Sequence, residues 1–165
     1  MKKVLNAGLF ILAVLVIAFL LSRFVFSRVR VVNHSMEHTL EEGDNVLIDK
    51  ISYRFSDPKR FDIIVFKQKG TGEELIKRVI GLPGETVQIK DGKIFIDDEE
   101  LQDVKGLDKP ENPGLADRPI KLSVGEYFVL GDNREESIDS RYEQVGNVTS
   151  TRIVGKMFFC VHTGK

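Results

Sequence analysis

The hydrophobic pattern divides the chain into two unlike parts. Residues 4–21 carry no charge and a single amide, Asn6. As a helix rising 1.5 Å per residue this stretch covers roughly 27 Å, close to the thickness of a bilayer core. Residues 24–26 extend it, with Arg23 able to snorkel toward the headgroups. A transmembrane anchor is therefore expected over residues 4–26. Lys2 and Lys3 before an apolar run also suit a cleaved signal peptide, but no small-x-small site follows, because Ala18 is succeeded by Phe19, Leu20, Leu21 and then Arg23.

After about Ser27 the continuous apolar pattern gives way to short runs rich in β-branched residues, separated by turn residues. The expected strands are 29–32, 45–50, 62–66, 74–81, 86–90, 93–96, 126–130 and 152–161. No later segment sustains a 3.6-residue stripe, so little helix is expected beyond the anchor. Lys90-Asp91-Gly92-Lys93 predicts a two-residue hairpin turn, since Asp-Gly tolerates the positive φ values such turns require. Residues 99–119 are acidic, carry Pro110, Pro113 and Pro119, and read as a flexible loop or insertion. The fold expected is mainly β, an antiparallel and partly barrel-like sheet assembly spanning 28–165 behind one N-terminal transmembrane helix.

Charge and composition narrow the function by exclusion. With 24 basic and 25 acidic residues, nothing points to nucleic acid as a partner. The one cysteine, Cys160, forms no internal disulfide and suggests no zinc site, and three scattered histidines add no metal signature. No cofactor is expected. Basic residues flank the anchor on both sides, Lys2 and Lys3 before it and Arg23, Arg28 and Arg30 after it, so charge alone does not orient it.

The chemistry concentrates in two short runs. Ser35 opens Ser35-Met36-Glu37-His38-Thr39-Leu40, and Lys77 lies among aliphatic residues in Leu75-Ile76-Lys77-Arg78-Val79-Ile80. A serine hydroxyl needs a neighbour to remove its proton as it attacks. His34 is adjacent and would point to the opposite face of an extended segment, and His38 is too close in sequence to act across a cleft. His162 has no carboxylate motif around it. A lysine can serve if burial makes it neutral, whereas an arginine cannot lose its proton, so Lys77 is the candidate base and Arg78 a fixed charge. Behind the strand at 126–130 comes Gly131-Asp132-Asn133-Arg134-Glu135-Glu136-Ser137-Ile138-Asp139-Ser140-Arg141. There Asp132 and Asp139 can join Arg78 and Arg141 in a charge network that leaves Ser137 free to meet a lysine amine.

These blocks, with Gly43-Asp44 and residues 46–50, 60–66 and 77–84, resemble in order the motif boxes of bacterial type I signal peptidases. The resemblance runs from the anchor to about Arg141, and the short span from Lys90 to Glu126 looks like the compact, Gram-positive style of that family. It implies the sheet assembly shared with LexA-like proteins and a membrane-anchored endopeptidase on the extracytoplasmic side. Its partners would be the lipid bilayer and secretory preproteins carrying signal peptides, cut after small-x-small sites such as Ala-x-Ala. By position it implies Ser35 as nucleophile, Lys77 as general base and Ser137 as the group that orients the lysine. Asp132, Arg78, Asp139 and Arg141 fall at supporting positions, and Val29, Val31, Met36, Leu40, Val65 and Ile76 at those of shallow substrate pockets. Two departures stand out. His38 replaces a usual proline, which implies a less rigid turn, and Asn33 stands where serine or glycine often supplies the second oxyanion donor beside the Ser35 N–H. Two rivals remain: a soluble self-cleaving repressor of the LexA type, which would need a DNA-binding helix-turn-helix in place of the membrane span, and an inactive membrane-anchored adaptor that binds signal sequences.

Overall fold

The computed structural model describes residues 2–102 and 107–162. Helix α1 covers Lys2–Val25, and its Lys3–Val25 stretch is long and apolar enough to cross a membrane, with its most apolar window at a mean hydropathy of 2.9. The strands are β1 (Phe26–Arg30), β2 (Asn45–Asp49), β3 (Ile63–Lys67), β4 (Glu74–Gly81), β5 (Thr86–Lys90), β6 (Lys93–Ile96), β7 (Glu99–Glu100), β8 (Ile120–Lys121), β9 (Glu126–Leu130), β10 (Val148–Thr149) and β11 (Ile153–Val161). They build a seven-stranded sheet in the order β1-β2-β11-β3-β4-β9-β10 and a four-stranded sheet in the order β7-β6-β5-β8, all antiparallel. The mainly β, antiparallel assembly expected from the pattern is present. Neither ladder closes on itself among the described residues.

Apolar residues cover both faces of the large sheet, which explains why β3 reads as an unbroken run instead of an alternating one. Ile63 and Val65 enter a cluster with Val31, Met36, Leu40, Val46 and Ile48, while Ile64 and Phe66 enter another with Val79, Tyr127, Val129, Val145 and Val148. A third cluster joins the two sheets through Ile80, Phe128 and Leu130 on one side and Val87, Ile89 and Ile94 on the other. The β5–β6 turn takes the predicted form, with positive φ at Asp91 and Gly92. In the 99–119 segment, β7 and a 3-10 turn at Gly114–Asp117 are regular, and Ala116 is fully buried in the third cluster. Residues 103–106 of that segment, and 163–165 at the end of the expected 28–165 domain, lie outside the described residues.

β1 begins three residues earlier than the expected 29–32 and stops at Arg30. Beyond it the chain leaves the ladder: the Val31 N–H donates to the Asp44 carbonyl at 2.9 Å and the Gly43 N–H donates to that of Val31 at 2.9 Å. These two bonds close the base of a loop, residues 31–44, that carries Ser35.

Candidate active site

β4 brings Lys77 to this loop. Antiparallel pairing with β3 places Lys77 opposite Ile64, and alternation puts Leu75, Lys77 and Val79 on one face and Ile76, Arg78 and Ile80 on the other. Lys77 is 1% exposed, and its Nζ lies 2.8 Å from Ser35 Oγ and 3.0 Å from the Ile76 carbonyl. Burial among apolar groups pulls its pKa from an ordinary 10.5 down to about 8, although Asp139 and Asp132 push the other way. The lysine therefore gives up its proton far more readily than one in water.

None of the three histidine rings bonds to Ser35. His34 Nδ1 meets Glu37 Oε1 at 2.5 Å, His38 Nε2 meets Asp108 at 3.2 Å and His162 Nδ1 meets Asp44 at 2.8 Å. Donation of a hydrogen bond to the Glu37 carboxylate raises the pKa of His34.

Arg78, on the opposite face, has a different environment. Its Nε and Nη2 donate to Asp132 Oδ1 and Oδ2 at 2.8 and 2.6 Å, a bidentate and nearly dry pair. Arg141 forms a second such pair with Asp139, at 2.9 Å for both bonds. Asp139 Oδ2 also accepts the Gly131 N–H at 3.1 Å, and the Asn133 N–H donates to the Ser35 carbonyl at 3.2 Å. The four charged residues thus act as two pairs that pin the 131–141 loop against the Ser35 backbone.

Three further residues belong to this frame although sequence reasoning did not single them out. Thr39 donates its hydroxyl to Asp132 Oδ2 at 2.5 Å and accepts from Arg78 Nη2 at 3.3 Å. The Asn112 carbonyl accepts from Arg141 Nη1 at 3.0 Å. Gly131 must lack a side chain, since a Cβ there would stand 2.4 Å from the Ser35 carbonyl oxygen and within 2.5 Å of Ser137. Thr39 and Gly131 lie inside the quoted motifs, so proximity to them was the available signal. Asn112 carried none, because its part is played by its backbone.

Ser137 is buried, and its hydroxyl has no hydrogen-bond partner among the described residues. Asn33 lies on Ser35 with its oxygen toward it: Oδ1 accepts from Ser35 Oγ at 2.8 Å and from the Ser35 N–H at 3.3 Å. His38 has φ of +77°, a left-handed conformation closed to proline, whose ring holds φ near −65°. The turn after Ser35 therefore differs in backbone path, and not only in rigidity, from one built on proline. Val29, Val31, Met36, Leu40, Val65 and Ile76 all join one apolar cluster, in which Val29 and Ile76 remain partly exposed.

A groove of about 360 Å³ opens beside the Ser35–Lys77 contact, lined by residues that include Asn33, His34, Leu75, Glu136 and Ile138. β9 pairs with β4 only over Arg78–Gly81, so among the described residues the β9-facing edge of β4 from Glu74 to Lys77 has no strand beside it.

The family described as signal peptidase, peptidase S26, matches residues 4–162. The chain belongs to that family. Similar relatives include a probable signal peptidase I-2 of Synechocystis, 35% identical over 93% of this chain and 71% of that protein. A signal peptidase I of Leptolyngbya laminosa is 39% identical over 86% of this chain and 71% of its own length. Signal peptidase I V of Bacillus subtilis is 37% identical over 85% and 88%. A solved signal peptidase I from Enterococcus faecalis is 34% identical, covering 62% of this chain and 98% of that one, with a TM-score of 0.49. By its family the chain is a serine endopeptidase.

Proposed function

We propose that the chain cleaves signal peptides from exported preproteins after small-x-small sites, through a Ser35–Lys77 dyad and an acyl-enzyme. The observation that carries this reading is the 2.8 Å contact between Ser35 Oγ and the Nζ of a lysine whose burial brings its pKa down to about 8. Neutral Lys77 takes the Ser35 proton as Oγ attacks the scissile carbonyl, then delivers it to the leaving amine. The same amine activates the water that releases the acyl group. Ser137, buried without a partner for its hydroxyl, is available to orient the lysine once substrate excludes solvent.

Substrate binds extended along the open edge of β4 at Glu74–Lys77 as an added strand, so that alternate side chains face the enzyme. Val29 and Ile76, backed by Val31, Met36, Leu40 and Val65, form walls that accept alanine and exclude bulk. For the oxyanion, the Ser35 N–H is the first donor. Asn33 becomes the second when its amide turns about Cβ–Cγ, releasing the Ser35 N–H and presenting Nδ2. Residues 4–26 anchor the enzyme in the membrane by a single span, with the 28–165 domain on the extracytoplasmic side.

An inactive adaptor that binds signal sequences is the alternative, and the Asn33 oxygen over the Ser35 N–H is the observation on its side. Incubating detergent-solubilised protein with a preprotein and locating the cut by mass spectrometry separates the two. Cleavage after a small-x-small site is expected. It should be lost in Ser35→Ala and in Lys77→Met and retained when His34, His38 and His162 are all replaced by alanine. Intact preprotein recovered with the wild-type chain would support the adaptor.

A further inference from the structure

The end of β11 brings a thiol and an imidazole onto a buried carboxylate. Cys160 and His162 are two residues apart in an extended segment and so face the same way. Both reach Asp44, at the base of the Ser35 loop: Cys160 Sγ stands 3.6 Å and His162 Nδ1 2.8 Å from Asp44 Oδ2, and the sulfur and nitrogen are 4.0 Å apart. We propose that Asp44, Cys160 and His162 bind a single zinc ion.

The donor set carries the choice of metal. Thiolate, imidazole and carboxylate are the three protein ligand types zinc takes, whereas calcium and magnesium require oxygen. A tetrahedral zinc about 2.3 Å from sulfur and about 2.0–2.1 Å from nitrogen and oxygen sets these donors roughly 3.3–3.6 Å apart. The sulfur–oxygen spacing of 3.6 Å matches, and the other two depart by about half an ångström, within the reach of small side-chain rotations.

The site is also built in advance. Asp44 is 2% exposed, and its Oδ2 accepts the Glu41 N–H at 3.0 Å, which holds the carboxylate in place. His162 is largely exposed, giving the ion a path in and leaving the fourth coordination position to water. Binding replaces the thiol proton by zinc and releases that proton to solvent, with no change of oxidation state.

The ion would tie the last strand to the base of the 31–44 loop, where the Asp44 carbonyl already holds the Val31 N–H. This assignment does not depend on the peptidase mechanism. The sequence showed no metal signature because its cysteine and histidine gain their third partner from 116 and 118 residues away.

Cobalt is the spectroscopic probe, and zinc the competing ion, on the full-length chain in detergent after chelator treatment. One equivalent of cobalt should produce a thiolate-to-cobalt charge-transfer band that stoichiometric zinc abolishes. Cys160→Ser should remove the band, and Cys160→Ser and His162→Gln should each weaken zinc binding at least tenfold. Zinc at about 100 times its Kd should raise the melting temperature of the wild-type chain by roughly 5–10 °C and that of Cys160→Ser by much less. A cobalt complex without the band, or zinc affinity unchanged in both variants, would overturn the assignment. The two variants change partly or largely exposed side chains, so the test does not rely on replacing the buried Asp44.

Discussion

Lys77 and Arg78 are neighbours on β4, both cations and both mostly buried, yet the two faces of the strand treat them oppositely. Arg78 meets a carboxylate through two short parallel bonds, while Lys77 meets a serine hydroxyl and a carbonyl. A guanidinium cannot shed its charge, so its burial demands a counterion. An ammonium can, and a site that withholds the counterion lets burial lower the pKa and favour the free amine. A fixed charge and an amine that can become neutral are thus separated by one residue and one strand face.

The strongest way to break this contrast is to leave Arg78 unpaired. Asp132→Ala should destabilise the protein by about 3–5 kcal/mol, the usual cost of orphaning a buried charge, as measured by denaturant unfolding. Asp132→Asn keeps the shape and removes the charge, and because Asp132 raises the pKa of Lys77, it should move the acidic limb of activity to lower pH in whatever fraction folds. An unmoved limb would mean that Lys77 does not feel this carboxylate.

Lys77 itself supplies the complementary test. Its fall from 10.5 to about 8 corresponds to roughly 3 kcal/mol against the charged form. The folded pKa lies below the unfolded one, so between about 8 and 10.5 the unfolded chain binds the extra proton and stability rises with pH. Above that window the penalty vanishes, and below it the penalty is complete. Lys77→Met should therefore be more stable than wild type at pH 7 by up to about 3 kcal/mol, less whatever its lost hydrogen bonds contributed, and the gain should shrink steadily as pH rises through the window. A gain that does not change with pH would show that packing, and not desolvated charge, separates the two proteins. In the wild type, kcat/KM should rise through an apparent pKa near 8 as the free enzyme's lysine becomes neutral.

The same contrast explains what the sequence could reveal. β4, β5, β6 and β9 appear at their expected boundaries, because each is a run of at least four residues bracketed by turn signals. The two-residue strands β7, β8 and β10 are too short to show a period. Periodicity treated Lys77 and Arg78 alike, and only their proton chemistry told them apart. What escaped was contact between distant segments: the Thr39 hydroxyl on Asp132, the Asn112 carbonyl on Arg141, and Asp44 beneath Cys160 and His162. Local sequence carries no record of such pairings unless a motif happens to frame them.

The smallest expected effect concerns the turn that leads from Ser35 to Thr39, and through it to the Arg78 side. His38 holds φ at +77° beside Asp108, a region that non-glycine residues enter at a cost of about 1–2 kcal/mol. His38→Gly should remove that strain and leave stability equal or raised by up to about 1 kcal/mol, after subtracting the greater freedom of glycine in the unfolded chain. His38→Pro, which restores the residue expected from the family resemblance, should instead lower stability by about 1–3 kcal/mol, because φ must swing to near −65° and displace Thr39 from Asp132. Thermal unfolding of the three proteins orders them directly. A proline variant as stable as wild type would show that this turn accepts the proline path at no cost, and that His38 marks no separate backbone solution.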